Sequence, residues 1–283
     1  MTPSTLATAD GLTLHLQEWP LTDAHGTVLI VHGLGEHIGR YAHVAAQLNG
    51  WGWRVVGYDH RGHGRSQGAK GRLRAADDLL VDLATVIDKL RQQHSGPLVL
   101  LGHSMGGLIA ARFVAGGLAT QPATWHRSVD ALVLSSPALA ADTNAVQKLL
   151  LLTLGTLAPN LAVNNGLKPE WISRAAPVVA AYTADPLVHD RISPRLARFI
   201  LDGGDAVRAL AGQWKLPTLL MFAGSDRCVA PRGSREFAAG APKSVVTSRE
   251  FGPLYHEIFN EPEQAEVFEV LGTWMQGQRA SSA

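Results

Sequence analysis

The chain has 283 residues, 46% apolar and 17% charged, with a net charge of +1. That balance describes an ordinary globular protein long enough to bury a large core, and it offers no electrostatic basis for binding nucleic acid. Its single cysteine, Cys228, excludes an intrachain disulfide and a cysteine-based metal cluster and points to a reducing, cytoplasmic setting.

The amino terminus, from Met1 to Leu6, has no basic start and no unbroken apolar run, so no secretory signal is expected in it. Leu6–Ala9 and Leu12–Trp19 alternate around Asp10-Gly11, which predicts an opening antiparallel hairpin. Thr27–His32 is a continuous β-branched apolar run, the pattern of a strand buried on both faces, and it stops at Gly33-Leu34-Gly35. Helical spacing follows over Tyr41–Leu48, then a strand over Trp53–Asp59 and an amphipathic helix over Ala75–His94. Pro97–Gly102 reads as the next buried strand, Leu108–Val114 as a helix, and Val129–Ser135 as another strand. Strands alternating with helices predict a doubly wound, mostly parallel sheet with helices on both faces.

That alternation breaks over 139–215, where Asn144–Thr156 and Ser193–Leu201 have helical spacing and no strand is evident. We expect an inserted helical cap there, dividing the core into 1–138 and 216–283. The most apolar stretch, Leu149–Leu157, is interrupted by Thr153 and Gly155 and is too short for the ~20 residues a membrane span needs. Strands over Leu216–Gly224 and Ser244–Phe251 and a helix over Pro262–Met275 complete the chain, with a disordered tail expected from Gly277.

Chemistry concentrates at Gly102-His103-Ser104-Met105-Gly106, a G-x-S-x-G pentapeptide between strand and helix. A sharp turn in that setting lifts a serine oxygen clear of the backbone. A serine hydroxyl needs a base, and the base an orienting acid, in the chain order nucleophile, acid, histidine. His256 is the only histidine after Asp226 and is the base that this order allows. Asp226, at the carboxyl end of a strand, is preferred as the acid over Asp142, Asp202 and Asp205. The backbone N–H groups of Leu34 and Met105 are the expected oxyanion donors. His32, His37, His60, His63 and His103 lack the spacing of a metal site and are read as groups that hydrogen-bond the loops framing the serine. Gly33-Leu34-Gly35 lacks a dinucleotide-loop pattern. No metal and no cofactor is expected.

The segments His32-Gly33-Leu34-Gly35-Glu36-His37, Asp59-His60-Arg61-Gly62-His63-Gly64-Arg65-Ser66 and Gly102–Gly107, with the Asp226 and His256 loops, together resemble the monoacylglycerol lipase and lysophospholipase group of α/β hydrolases. Ala181–Val188 resembles a cap segment of that group. The resemblance spans nearly the whole chain. It implies an α/β-hydrolase fold and hydrolysis of monoacylglycerols or related single-chain esters through an acyl-enzyme, with a small acyl ester as the partner and membrane or micelle contact through the cap. Glu36, His37, His103, Tyr182 and Asp185 are the substrate contacts it suggests, and the apolar run Ala145–Val163 an acyl channel. Relatives carry a cysteine close after the acid; Cys228 stands one position nearer, so no role is carried over to it. A prolyl-type aminopeptidase stays open, since Asp142, Glu170, Asp185 and Asp190 supply cap carboxylates for a free amino terminus, as does a non-catalytic binding protein on the same fold. Oligomeric state stays open as well.

Overall fold

The computed structural model describes residues 2–141, 155 and 157–280. Its centre is an eight-stranded sheet. β1 (Thr2–Ala7) and β2 (Thr13–Trp19) form the antiparallel hairpin expected around Asp10-Gly11, and β2 runs antiparallel to β4 (Arg54–Tyr58). β3 (Thr27–Val31), β5 (Leu98–His103), β6 (Ala131–Ser135), β9 (Thr218–Ala223) and β10 (Val246–Phe251) run parallel with β4, in the spatial order β1-β2-β4-β3-β5-β6-β9-β10. The chain steps from β3 to β4 on one side and returns to β5 on the other. In open α/β sheets such a reversal leaves a crevice at the carboxyl ends of the strands. Val31 lies level with Gly102 and His103 with Ser135, so the loops leaving β3, β5 and β6 share one edge.

The unbroken apolar runs have a simple cause: successive side chains point to opposite faces, and both faces are covered. In β3, Leu29 and Val31 join one core and Val28 and Ile30 the other. The first core is closed by α2 (Asp78–Gln93) and α3 (Met105–Ala115), and the second by α1 (Ala42–Gly50) and a carboxyl-terminal helix over Gln264–Ala280. Each strand aliphatic fully buried this way contributes about 1.5–3 kcal/mol.

Between β6 and β9 the described chain contains β7 (Val163–Asn164) paired antiparallel with β8 (Arg191–Ile192), α4 (Ala176–Ala184) and α5 (Pro194–Ala209). No strand was expected there; two-residue strands carry no readable alternation. The helix expected over 144–156 falls, apart from Gly155, outside the described residues, as does most of the run 145–163. α5 is longer than its predicted stretch. It buries Leu196, Phe199 and Val207 in the same core as α2 and α3 and packs chiefly against α3. α6 (Pro231–Gly240) has no counterpart in the sequence reading, because it buries only Gly233, Ser234, Phe237 and Ala238 along an otherwise polar helix. The final helix, α7 (Gln264–Ala280), continues through Gly277, so the tail expected from that residue is helical as far as Ala280. Among the described residues no helix is long and apolar enough to cross a membrane.

Candidate active site

Ser104 sits between the last residue of β5 and the first of α3 with φ +54° and ψ −121°, a conformation that costs a non-glycine residue energy and persists only where its surroundings enforce it. They do so through the backbone. Its N–H donates to the Ser135 carbonyl at 3.0 Å, and its own carbonyl accepts from Leu108 and Ala138. Glycine at 106 is required by close approach: a Cβ there would lie 2.0 Å from the Val31 carbonyl oxygen and 2.4 Å from that of His32. The elbow is thereby pressed against the end of β3, and Gly33 abuts the Ser104 side chain.

Two further loops meet the serine. The Ser104 hydroxyl lies 2.8 Å from His256 Nε2, and His256 Nδ1–H donates to Asp226 Oδ2 at 2.7 Å. Asp226 follows β9, and its other oxygen accepts from the N–H groups of Cys228 and Val229 at 2.7 and 3.0 Å, which fixes the carboxylate. Burial alone would depress the His256 pKa, but the charge and hydrogen bond of Asp226, with Glu257 and Glu36 behind, raise it above its ordinary value. Leu34 borders the same cavity, and Met105 is the first residue of α3, whose N-terminus favours negative charge.

The serine and His256 open into a cavity of about 400 Å³ walled by Asn164, Leu167, Ile172, Tyr182, Asp185 and Val188 of the segment between β6 and β9. Tyr182 and Asp185 thus both border it. Of the other suggested contacts, Glu36 and His103 also border the cavity and His37 does not. Glu36 reaches the cavity but spends both oxygens on the protein: Oε1 accepts from Gly33 N–H and Tyr41 O–H, each at 2.6 Å, and Oε2 from Arg40 at 2.7 Å. Burial acts to raise its pKa, yet Arg40, His103 and His32 outweigh that and hold it at about 2. His37 does not border the cavity; its Nε2 bonds Asp185 Oδ2 at 2.8 Å, joining the β3 loop to the end of α4. His103 packs its ring 4.7 Å from that of His256 and bonds Ser135 Oγ through Nδ1. Burial and the neighbouring His256 hold it neutral, at a pKa of about 4.

The remaining motif histidines are structural. His32 accepts the His60 N–H at Nε2, so its proton sits on Nδ1, donated to the Gly33 carbonyl. Asp59 accepts from the N–H groups of Ile38 and Arg65, and Arg61 clamps Asp10, Asp78 and Asp82. Among the described residues one group brings three metal-ligand types together, Asp226, Cys228 and His256. Two of its members are already committed to each other, and burial pushes the Cys228 thiol well above its ordinary pKa, which disfavours the thiolate a metal needs. Sequence reasoning missed Arg40 and Glu257. The spacing of Glu36 and Arg40 was a usable signal, but Glu257 lies 217 residues from Arg40.

A serine on a strained strand-to-helix turn, hydrogen-bonded to a histidine that is itself held by an aspartate, at the carboxyl edge of this sheet, defines a serine hydrolase with the α/β-hydrolase fold. Comparison with known proteins agrees with that class. The chain belongs to the Hydrolase_4 family, whose model, described as serine aminopeptidase S33, matches residues 22–263. It is 36% identical over 260 residues to a monoacylglycerol lipase of Mycolicibacterium smegmatis, covering 90% of each chain. It is 31% identical over 253 residues to the phospholipase YtpA of Bacillus subtilis, covering 88% of this chain and 95% of that one. Among solved structures, a monoacylglycerol lipase of Paleococcus ferrophilus superposes with a TM-score of 0.83 at 34% identity, covering 94% of this chain and 99% of that one.

Proposed function

We propose that this chain is a carboxylic ester hydrolase that cleaves monoacylglycerols or related single-chain acyl esters through an acyl-enzyme on Ser104. The observation that carries the reading is the unbroken chain Ser104, His256, Asp226 at 2.8 and 2.7 Å, opening into a cavity beneath the cap. In this mechanism Nε2 of His256 takes the hydroxyl proton as Ser104 attacks the ester carbonyl, and Asp226 stabilises the imidazolium without taking its proton. The N–H groups of Leu34 and Met105 receive the oxyanion, and His256 returns its proton to the departing alcohol. Water, deprotonated by His256, then releases the acid. No step calls for a metal or cofactor.

The substrate class draws support from the relatives, which include monoacylglycerol lipases and a phospholipase. An aminopeptidase would need a carboxylate free to meet an ammonium group. Among the described residues, the carboxylates bordering the cavity already have partners: Glu36 and Glu257 share Arg40, Asp185 holds His37, and Asp190 accepts from Asn164. The exposed side chains of Leu157, Leu161, Val163 and Leu167 support contact between cap and a micelle or membrane surface. A monoester assay on Ser104→Ala tests the assignment: activity should fall by about 10³-fold or more, and near-wild-type turnover would sink it.

A further inference from the structure

The three loops that meet at Ser104 come from distant parts of the chain, and their backbones must keep the oxyanion donor and the base in register. One side chain touches the supports of both. Arg40 lies in the 3-10 turn Ile38–Tyr41 with its side chain 12% exposed. It grips Glu257 in a fork, Nη1 to Oε1 at 2.6 Å and Nη2 to Oε2 at 2.8 Å, and Nη1 also reaches Glu36 Oε2 at 2.7 Å. Glu257 is the residue after the base. Glu36, through Oε1, holds the N–H of Gly33, the residue before the expected oxyanion donor. The Arg40 guanidinium also stacks 4.8 Å over the Tyr182 ring of the cap.

We propose that Arg40 is a positioning residue for the hydrolysis assigned above, fixing the loop that carries Leu34 relative to the loop that carries His256. The inference rests on that reading of the site. Arg40 itself does not border the substrate cavity; it faces a separate void of about 10 Å³, room for roughly one water, so its influence passes through Glu36 and Glu257. Arginine is the residue for this task because its planar fork spans two carboxylates at once, whereas an ammonium group is a point charge. An ion triad this buried gains little stability over well-packed apolar residues, so fixed geometry is the better account of its presence.

Arg40→Gln and Arg40→Lys test the proposal with a short soluble p-nitrophenyl ester, on protein whose folding is checked by circular dichroism. Displacing a loop by a fraction of an ångström should lower kcat about 10- to 100-fold in Arg40→Gln, with KM within about threefold, and Arg40→Lys should recover part of the loss. A trifluoromethyl ketone, whose serine adduct carries an oxyanion, should lose affinity by the same factor as kcat/KM. A merely structural role would lower the unfolding midpoint and leave kcat and inhibitor affinity of the folded enzyme in place. Should Arg40→Gln fail to fold, Glu257→Gln replaces it, weakening the fork while keeping the shape. Folded Arg40→Lys and Glu257→Gln enzymes within about twofold of wild type on both readouts overturn the inference. Labelling of the wild-type serine by a fluorophosphonate separates the two levels. An unlabelled wild type sinks the hydrolase reading, and a labelled wild type with indifferent Arg40 variants sinks only the positioning role.

Discussion

Acid should unfold this protein through its histidines before its carboxylates are touched. His32, His60, His63 and His103 are at most 4% exposed, and burial, the largest cause in each case, holds all four below the ordinary value of 6.5. His32 is brought to about 3 and His103 to about 4. A group with a depressed folded pKa gives stability that is complete above its unfolded pKa and is lost as pH falls from there towards the folded value. At pH 5 the unfolded chain therefore holds protons that the folded one refuses. The interval from 6.5 to 5 is about 1.5 units, so His32 and His103 each cost about 2 kcal/mol, or about 4 kcal/mol together. His60 and His63 act in the same direction. His256, whose pKa is raised, opposes them: its contribution is present below the unfolded pKa and is lost as pH rises through the folded one. Glu36, held at about 2, contributes stability that starts to be lost only as pH falls through the ordinary carboxylate range towards 2, below that interval. Against a total stability of about 5–15 kcal/mol, the loss is a large fraction. Urea denaturation followed by far-ultraviolet circular dichroism at pH 8 and pH 5 measures it. Equal stability at the two pH values would refute the reasoning, and His103→Asn should shrink the difference by about one group's share, roughly 2 kcal/mol.

Other expectations are more local. Asp226→Asn should leave the fold intact and lower kcat about 10³- to 10⁴-fold, because the amide cannot hold His256 in the required tautomer. The same change should move the rising limb of kcat/KM against pH to lower pH, since Asp226 raises the His256 pKa and the base must be neutral to act; an unshifted limb and unchanged rate would assign the acid role elsewhere. Gly106→Ala should cost about 1–3 kcal/mol in urea denaturation and slow fluorophosphonate labelling of Ser104, because the added methyl group meets the Val31 and His32 carbonyls. A cost below about 0.5 kcal/mol would mean the elbow is not pressed against β3. Tyr182→Phe should alter hydrolysis of glycerol esters relative to ethyl esters, and an equal lack of effect on both would remove Tyr182 from the alcohol site.

The sheet and the elbow were legible because both are written locally. Apolar runs such as 27–32 and 97–102 are bounded by glycine, and a serine between two glycines needs no distant partner to be noticed. Chain order then reduced the choice of base to His256. The polar scaffold was not legible. Arg40 meets Glu257, and His37 meets Asp185, across 217 and 148 residues, and no local pattern announces such a pairing. Glu36 and His37 stand in a motif beside the serine, and nothing in that motif announces that their polar atoms bond Gly33, Arg40 and Asp185. The polar helix at 231–240 escaped because its apolar face is too small to produce a period.

The hydrogen bond between Ser104 and His256 spans 152 residues of chain, and β6 meets β9 only after the long excursion between Ser135 and Thr218. The backbone partners of the serine turn, Leu108, Ser135 and Ala138, all precede the Asp226 and His256 loops in the chain. On the proposed assignment, a chain that stops short of Asp226 should show no esterase activity. On that assignment Ser104 gains its base only when β9 and β10 dock and bring Asp226 and His256 to it, and non-local closures of this kind are the slow part of folding. Appearance of fluorophosphonate reactivity during refolding is thus a direct clock for the completion of the sheet.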